Sequence, residues 1–172
     1  KQEAKDNLSA EAVRGARFFQ AARRGAEKDA KAKLEASRQR IKAEVEKDVS
    51  ARPVYAAQAF IRNGEVVDDK GKRVSAKLDT DMVRALVGDD ADKLKGYTRK
   101  GGTNPSLMAA QFQFKSGEEM LRAFLNSVPM AEAIDAETNA RLEAEEPLAD
   151  PKEMRRAVES ALRGKASARL AS

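Results

Sequence analysis

The stretch from residue 8 to residue 51 constrains this chain most, because it contains no proline and is rich in Ala, Glu, Lys and Arg. These residue types favour the α-helix, and we expect one long helix over 8–51. At a rise of about 1.5 Å per residue, this helix would span about 65 Å, which is longer than a small domain is wide. A single small core therefore cannot enclose all of it.

One edge of the expected helix is apolar and narrow. At about 100° per residue this edge, which we call the apolar seam, consists of Leu8, Ala12, Ala16, Phe19, Ala26, Ala30, Leu34, Ile41 and Val45. A narrow stripe with alanine in its middle is typical of a seam between two helices. The last predicted helix is less than half as long and offers a matching stripe of Met154, Val158, Ala161 and Leu162. We expect the uncovered part of the seam to mediate self-association or bind a partner chain; packing within the chain is the alternative.

A second face of the same helix is basic. This basic stripe lies about 120° around the helix from the apolar seam and consists of Arg17, Arg24, Lys28, Lys31, Arg38 and Lys42. Such a stripe can contact the phosphates of double-stranded DNA without sequence specificity, or an acidic partner. It can equally be an ordinary solvated face, since Glu35 and Glu46 interrupt it. Base stacking is not expected, because no aromatic residue lies among these cations.

Pro53 ends the long helix, and the sequence beyond it predicts a small helical domain over 53–172. Helix starts are indicated by Asp79, Asn104-Pro105, Ser116 with Glu119, Pro129 and Asp150-Pro151. Residues 65–76 are expected to form a loop or a short hairpin, and 88–104 a polar connector. The expected core contains Leu107, Met108, Phe112, Phe114, Met120, Leu121, Phe124, Leu125, Val128 and Ile134, joined by Tyr55, Phe60, Ile61, Leu78, Met82, Val83 and Leu86. The predicted fold is all-α: a long charged amphipathic helix over 1–52 projects from a small C-terminal helical bundle.

Composition excludes several kinds of chemistry. The chain has no Cys and no His, which excludes a thiolate nucleophile, a Ser-His-Asp triad and zinc ligation by Cys or His. No apolar run reaches the roughly 18 residues of a membrane span. We therefore expect no cofactor, no metal ion and no membrane span in this segment. Residues 1–52 carry 14 Lys or Arg against 9 Asp or Glu, and 105–147 carry 3 against 8, so these regions can attract each other within or between chains.

Two polar patterns are similar to ligand-binding loops. Residues 96–103 have the glycine spacing of a P-loop, but Gly102 stands where that loop needs a lysine. Asp89, Asp90 and Asp92 cluster as in a calcium loop, but no Glu closes the cluster at the required spacing. We interpret the first as a flexible loop and the second as a solvated acidic turn.

Carboxylates give no convincing catalytic pair. One group lies at helical spacing but has few apolar neighbours of the kind a catalytic acid requires: Glu132, Asp135, Glu143 and Glu146. Glu159-Ser160 resembles the Glu-Ser pair of lytic transglycosylases, but the glycine-containing stretch expected downstream is missing. The sequence therefore favours a protein that is not an enzyme.

The order of segments from Val54 onward carries a family resemblance. The segments are VYAAQAFIRNGEV, KLDTDMVRALVGDDADKLKG, NPSLMAAQFQFKSGEEMLRAFLNSVPMAEAIDAETNARL and LADPKEMRRAVESALRGKASARL. The most specific part is QFQFKSGEEMLRAFLNSVPMAEAIDAETNARL. This order resembles a module of very large tailed-phage internal virion proteins, or DNA-ejection proteins, which often carry a lytic transglycosylase elsewhere in the chain. The chain departs from the family at residues 145–147, Glu-Glu-Pro, where a His-rich stretch with glycine is expected. The resemblance transfers no catalytic residue.

The resemblance implies a non-enzymatic structural segment of an ejection protein that multimerises into a conduit for genome delivery across the host envelope. It implies other virion or ejection proteins as partners, and a location in the virion interior and then in the host cell envelope or periplasm. Together with the apolar seam it predicts a homo-oligomer. The alternative is a monomeric nucleic-acid-binding module of a phage or mobile-element protein. A third possibility is an enzyme whose chemistry uses only carboxylates and Lys or Arg.

Overall fold

The computed structural model describes the backbone of residues 2–170 and the side chains of residues 11–168. Over this part of the chain the fold is all-α, as predicted, with seven α-helices, two 3₁₀ helices and only short strands; helices make up 78% of the 172 residues. The first helix, α1 (Gln2–Ser50), is the long helix expected over 8–51. Leu8, which was predicted to belong to the apolar seam, lies outside the described side chains.

The chain divides into two compact units. The terminal unit combines Lys1–Ala43 with Ala136–Ser172, and the central unit is Glu44–Asp135. The predicted division into 1–52 and 53–172 follows secondary structure, since α1 ends at Ser50. The compact units group the chain differently, because the C-terminal helix packs on α1.

The terminal unit is built around that packing. It contains most of α1, the end of α6 (Met130–Glu145), a 3₁₀ turn over Pro147–Ala149, and α7 (Pro151–Leu170). Ala26 and Ala30 of α1 form a buried cluster with Val158 of α7, and Met154 and Leu162 pack beside it. The two alanines are only 6% and 8% exposed. Their small side chains allow the two helices to approach closely.

The central unit joins short helices and strands. In chain order these are α2 (Pro53–Asn63), β1 (Glu65–Val67), β2 (Arg73–Ser75), β3 (Leu78–Asp79), α3 (Thr80–Val87), a 3₁₀ segment (Gly88–Tyr97), β4 (Thr98–Arg99), α4 (Pro105–Gln111), α5 (Gly117–Asn126) and the start of α6. β1 and β2 pair antiparallel with Val66 opposite Val74, which confirms a hairpin within 65–76. β3 and β4 pair parallel, with Leu78 opposite Thr98.

Side-chain caps begin four helices where the sequence predicts them; at the start of α7 the N–H of Lys152 donates to a carboxylate oxygen of Asp150 at 2.8 Å. Asp79 accepts hydrogen bonds from the N–H groups of Asp81 and Met82, and Asn104 accepts from the N–H of Ser106. Ser116 accepts from the N–H of Glu119 at 3.1 Å. Each cap satisfies a backbone donor that has no partner inside its own helix, so the local sequence fixes these helix starts.

The core of the central unit draws on α2, α3, α4, α5, the 3₁₀ segment, and β3 with the residues just before it. Its buried members are Ala57, Ile61, Ala76, Leu78, Val83, Val87, Ala91, Leu94, Met108, Ala109, Met120, Leu121 and Phe124. Three residues predicted for the core are instead exposed: Leu107 (68%), Val128 (51%) and Met82 (45%). Leu107 precedes two buried residues of α4, and a helix turns about 100° per residue, so only one side of this short helix can face the core.

Leu94 was missed by sequence reasoning because it lies in the predicted polar connector 88–104. The first part of that connector is the 3₁₀ segment Gly88–Tyr97, in which Ala91 and Leu94 are buried. In a 3₁₀ helix, residues three apart lie on the same side. Ala91 and Leu94 therefore face the core together, and Tyr97, three residues further on, packs against the same core.

Candidate functional site

The C-terminal part of the apolar seam is enclosed. Ala26, Ala30, Ile41 and Val45 are all buried, and Leu34 is half-buried. For Ala26 and Ala30 the cover is α7 of the same chain. Packing within the chain, the alternative stated for the seam, therefore accounts for this section of it.

The N-terminal part of the seam is open to solvent. Ala12, Ala16 and Phe19 are exposed, Phe19 to 52%. Val13 and Phe18 beside them are also exposed, and the rings of Phe18 and Phe19 meet edge-on with centroids 5.8 Å apart. We call these five residues the open end of α1. Adjacent exposed apolar side chains of this kind mark candidate interaction surfaces, whereas scattered single ones do not.

The basic stripe is also mostly at the surface. Arg17, Arg24, Lys28 and Lys31 are exposed and form no ion pair with any described residue. The two remaining members differ from these four. Arg38 is exposed but its guanidinium donates to the side-chain oxygen of Asn139, and Lys42 is half-buried. The section 17–31 is therefore the part of the stripe that can meet an anionic partner.

A groove in the central unit was not predicted from the sequence. It has a volume of about 510 Å³ and is lined in part by Tyr55, Arg62, Tyr97, Phe124 and Val128. These residues lie far apart in the sequence, and their types also occur in ordinary cores. No spacing signal connects them, so only the fold brings them together.

The P-loop-like segment is not arranged to bind phosphate. Within 96–103, the N–H of Gly101 donates to a carboxylate oxygen of Asp79 at 2.9 Å. The N–H of Met82 is the largest cause that holds the pKa of the Asp79 carboxyl below its usual range; burial opposes it, and the N–H groups of Gly101, Asp81 and Gly102 add to it. The Asp79 carboxylate thus accepts the backbone N–H bond that a phosphate would need from this loop.

The acidic turn is neutralised by neighbouring cations. Arg84 pairs with Asp92 at 2.8 Å and approaches Asp89 at 3.9 Å, and Lys93 pairs with Asp90 at 2.9 Å. Within residues 11–168, no group of three or more metal-ligating side chains is arranged to hold an ion. These carboxylates therefore serve the charge balance of the 3₁₀ segment.

The fold and the surface together define the class of protein. It is an all-α chain in which the N-terminal part of the apolar seam of α1 is exposed to solvent. No family model, no curated protein and no solved structure matches this chain. None of the helices in the described part of the chain has both the length and the apolar character needed to cross a bilayer.

Proposed function

We propose that this chain is a non-enzymatic structural segment of a phage DNA-ejection protein, and that it self-associates through the open end of α1. The observation that carries the proposal is the change along one helix edge: α7 covers the seam at Ala26 and Ala30, whereas Ala12, Ala16 and Phe19 are exposed. The sequence resemblance from Val54 onward supplies the biological setting, and the basic stripe would face DNA or an acidic neighbour.

The exposed area of Phe19 sets the scale of the interaction. A phenylalanine buries about 150–250 Å² when fully packed, and Phe19 is 52% exposed. Covering the remainder removes about 100 Å² of apolar surface from water, which contributes about 2.5 kcal/mol per chain. Two chains in a symmetric pair gain this twice, which is comparable with the low end of the cost of association. Phe19 alone therefore only offsets this cost. Assembly in the micromolar range needs about 8 kcal/mol of net binding free energy, so it requires the other residues of the open end to be buried as well.

Sedimentation analysis tests the proposal. The wild-type chain should form multimers as its concentration rises through about 1–100 µM. Phe19→Gln should shift the assembly midpoint upward by about tenfold or more, because the glutamine leaves little apolar area to bury. Leu107→Gln is the matched control, since Leu107 is 68% exposed and lies in the central unit. A wild-type chain that stays monomeric over the whole range contradicts the proposal.

The exposed section of the basic stripe favours a second candidate function, a monomeric nucleic-acid-binding module. Arg17, Arg24, Lys28 and Lys31 form no ion pair with a described residue, so they are available to phosphates. Titration of duplex DNA at two salt concentrations separates the candidates. Binding by the monomer with a steep salt dependence supports the second, because each phosphate contact releases counterions. No binding below about millimolar concentration removes it.

A further inference from the structure

The groove in the central unit has a fixed shape. Its walls are α2, the 3₁₀ segment, the end of α5 and the connector that follows α5. The hydroxyl of Tyr55 donates to the carbonyl oxygen of Val128 at 3.0 Å, and the side-chain amide of Gln58 donates to the hydroxyl of Ser127 at 2.9 Å. These bonds hold the connector against α2. Because the groove is already formed, the protein loses little conformational entropy when a ligand binds there.

The groove has apolar side chains in part of its wall and along part of its rim, beside polar ones. Tyr55 and Phe124 are nearly buried in its wall, at 6% and 5% exposure. Val128 and Met130 line it as well but are 51% and 40% exposed. The apolar surface therefore continues from the cavity onto the outer surface, as in grooves that take a side chain from a longer partner.

One cation at the groove is not neutralised. The guanidinium of Arg62 lies 4.7 Å from the centre of the Tyr97 ring and forms no ion pair with a described residue. Lys93, the other cation lining the groove, pairs with Asp90 at 2.9 Å. A guanidinium that lies over an aromatic ring can still present its N–H groups to a carboxylate and bind it with two hydrogen bonds.

We propose that this groove binds an acidic peptide segment of a partner protein. A bulky apolar side chain of the peptide enters beside Val128 and Met130, and a nearby carboxylate of the peptide pairs with Arg62. A protein segment fits better than a nucleic acid, because the groove offers a single unpaired cation beside apolar side chains, whereas a nucleic acid would need several cations for its phosphates. The proposal goes beyond self-association through α1 and does not depend on it, since every residue it uses lies in the central unit.

Synthetic peptides test the proposal directly. The probe is a short Glu-rich peptide with a central Phe-Leu pair; one control replaces Glu by Gln, and another replaces Phe-Leu by Ser-Ser. The chain has two tyrosines and no tryptophan, and both tyrosines line the groove, so tyrosine emission reports on its occupancy. The Glu peptide should change the emission with a dissociation constant of about 10–500 µM. The Gln peptide should bind about three- to tenfold more weakly, and the Ser peptide should not bind measurably.

Two variants of groove residues test whether the peptide binds in the groove. Arg62→Gln should remove the preference for the Glu peptide over the Gln peptide, whereas Arg73→Gln, at an exposed arginine of β2, should leave it unchanged. Ala59→Phe should block both peptides by filling the groove, and Ala110→Phe, at an exposed alanine of α4, should not.

Three results overturn the proposal: equal binding of the Glu and Gln peptides, Glu-peptide binding that Arg62→Gln leaves intact, and no binding of the Glu peptide at millimolar concentration. Binding of duplex DNA that requires Arg62, with no peptide binding, also overturns it. If Ala59→Phe does not fold, Arg62→Gln decides alone, because Arg62 is exposed.

Discussion

Replacing Gly102 by alanine should destabilise the central unit strongly. A Cβ at this position would lie 2.4 Å from the carbonyl carbon of Leu78 and 2.5 Å from the carbonyl oxygens of Leu78 and Lys77. All three are backbone atoms, so no change of rotamer relieves the contact. Ordinary van der Waals contact begins at 3.4 Å, which requires the two segments to separate by about 1 Å.

That separation acts on the hydrogen bonds that join the same segments. The N–H of Asp79 donates to the carbonyl oxygen of Thr103, and the N–H of Thr103 donates to that of Lys77, both at 2.9 Å. A shift of about 1 Å along these bonds would break both, at about 1 kcal/mol each, and residual overpacking adds about 1–3 kcal/mol. We therefore expect Gly102→Ala to lower the free energy of unfolding by about 3–5 kcal/mol.

Urea unfolding followed by circular dichroism and by tyrosine emission measures this loss. Gly96→Ala is the matched control, because its Cβ would meet only the end of the Arg62 side chain, at 3.7 Å. The control should change stability by less than about 1 kcal/mol. If the free energy of unfolding of Gly102→Ala lies within about 0.5 kcal/mol of the wild-type value, the close approach of residue 102 to Leu78 is wrong.

Two further substitutions test other parts of the fold. Asp79→Asn should be less stable than wild type at pH 7, because the pKa of the Asp79 carboxyl is lowered in the folded chain. The difference in the free energy of unfolding should shrink as the pH falls below about 4, the usual carboxyl pKa, and disappear below the lowered pKa of the folded chain. Urea unfolding of both proteins at a series of pH values measures this difference. Val158→Ala removes two methyl groups from a side chain that is 6% exposed beside Ala30. It should cost about 1–2.5 kcal/mol in thermal or urea unfolding, whereas Val128→Ala, at a 51% exposed valine, should cost less than about 1 kcal/mol.

Helix positions could be predicted from the sequence because their signals are local. The caps at Asp79, Asn104 and Ser116 each combine a polar side chain with the N–H groups of the next few residues. The proline-free composition of 8–51 likewise predicts helix without reference to any partner. These signals need no knowledge of the tertiary fold, and the structure confirms them.

Burial and the groove could not be predicted in the same way, because they depend on contacts across the chain. Leu94 and Leu107 are chemically identical, yet one is 2% exposed in a charged 3₁₀ segment and the other is 68% exposed in an apolar helix. The groove requires Arg62 and Tyr97, which lie 35 positions apart and meet only when α2 and the 3₁₀ segment are neighbours. A contact of this kind, between residues of two different elements, cannot be read from the periodicity within either element.

The seam of α1 also shows why its two parts can have different roles. Ala16, Phe19, Ala26 and Ala30 follow the alternating three- and four-residue spacing of a helix seam, and Arg23 occupies the position between the open and covered parts. Arg23 is exposed, and its guanidinium is held by Glu27 at 3.0 Å. A charged residue at a seam position opposes burial there and sets the register of what packs on either side. The buried contact with α7 is at Ala26 and Ala30, whereas Ala12, Ala16 and Phe19 on the other side of Arg23 are exposed. The open end of α1 is therefore the part of the seam that a second helix can cover.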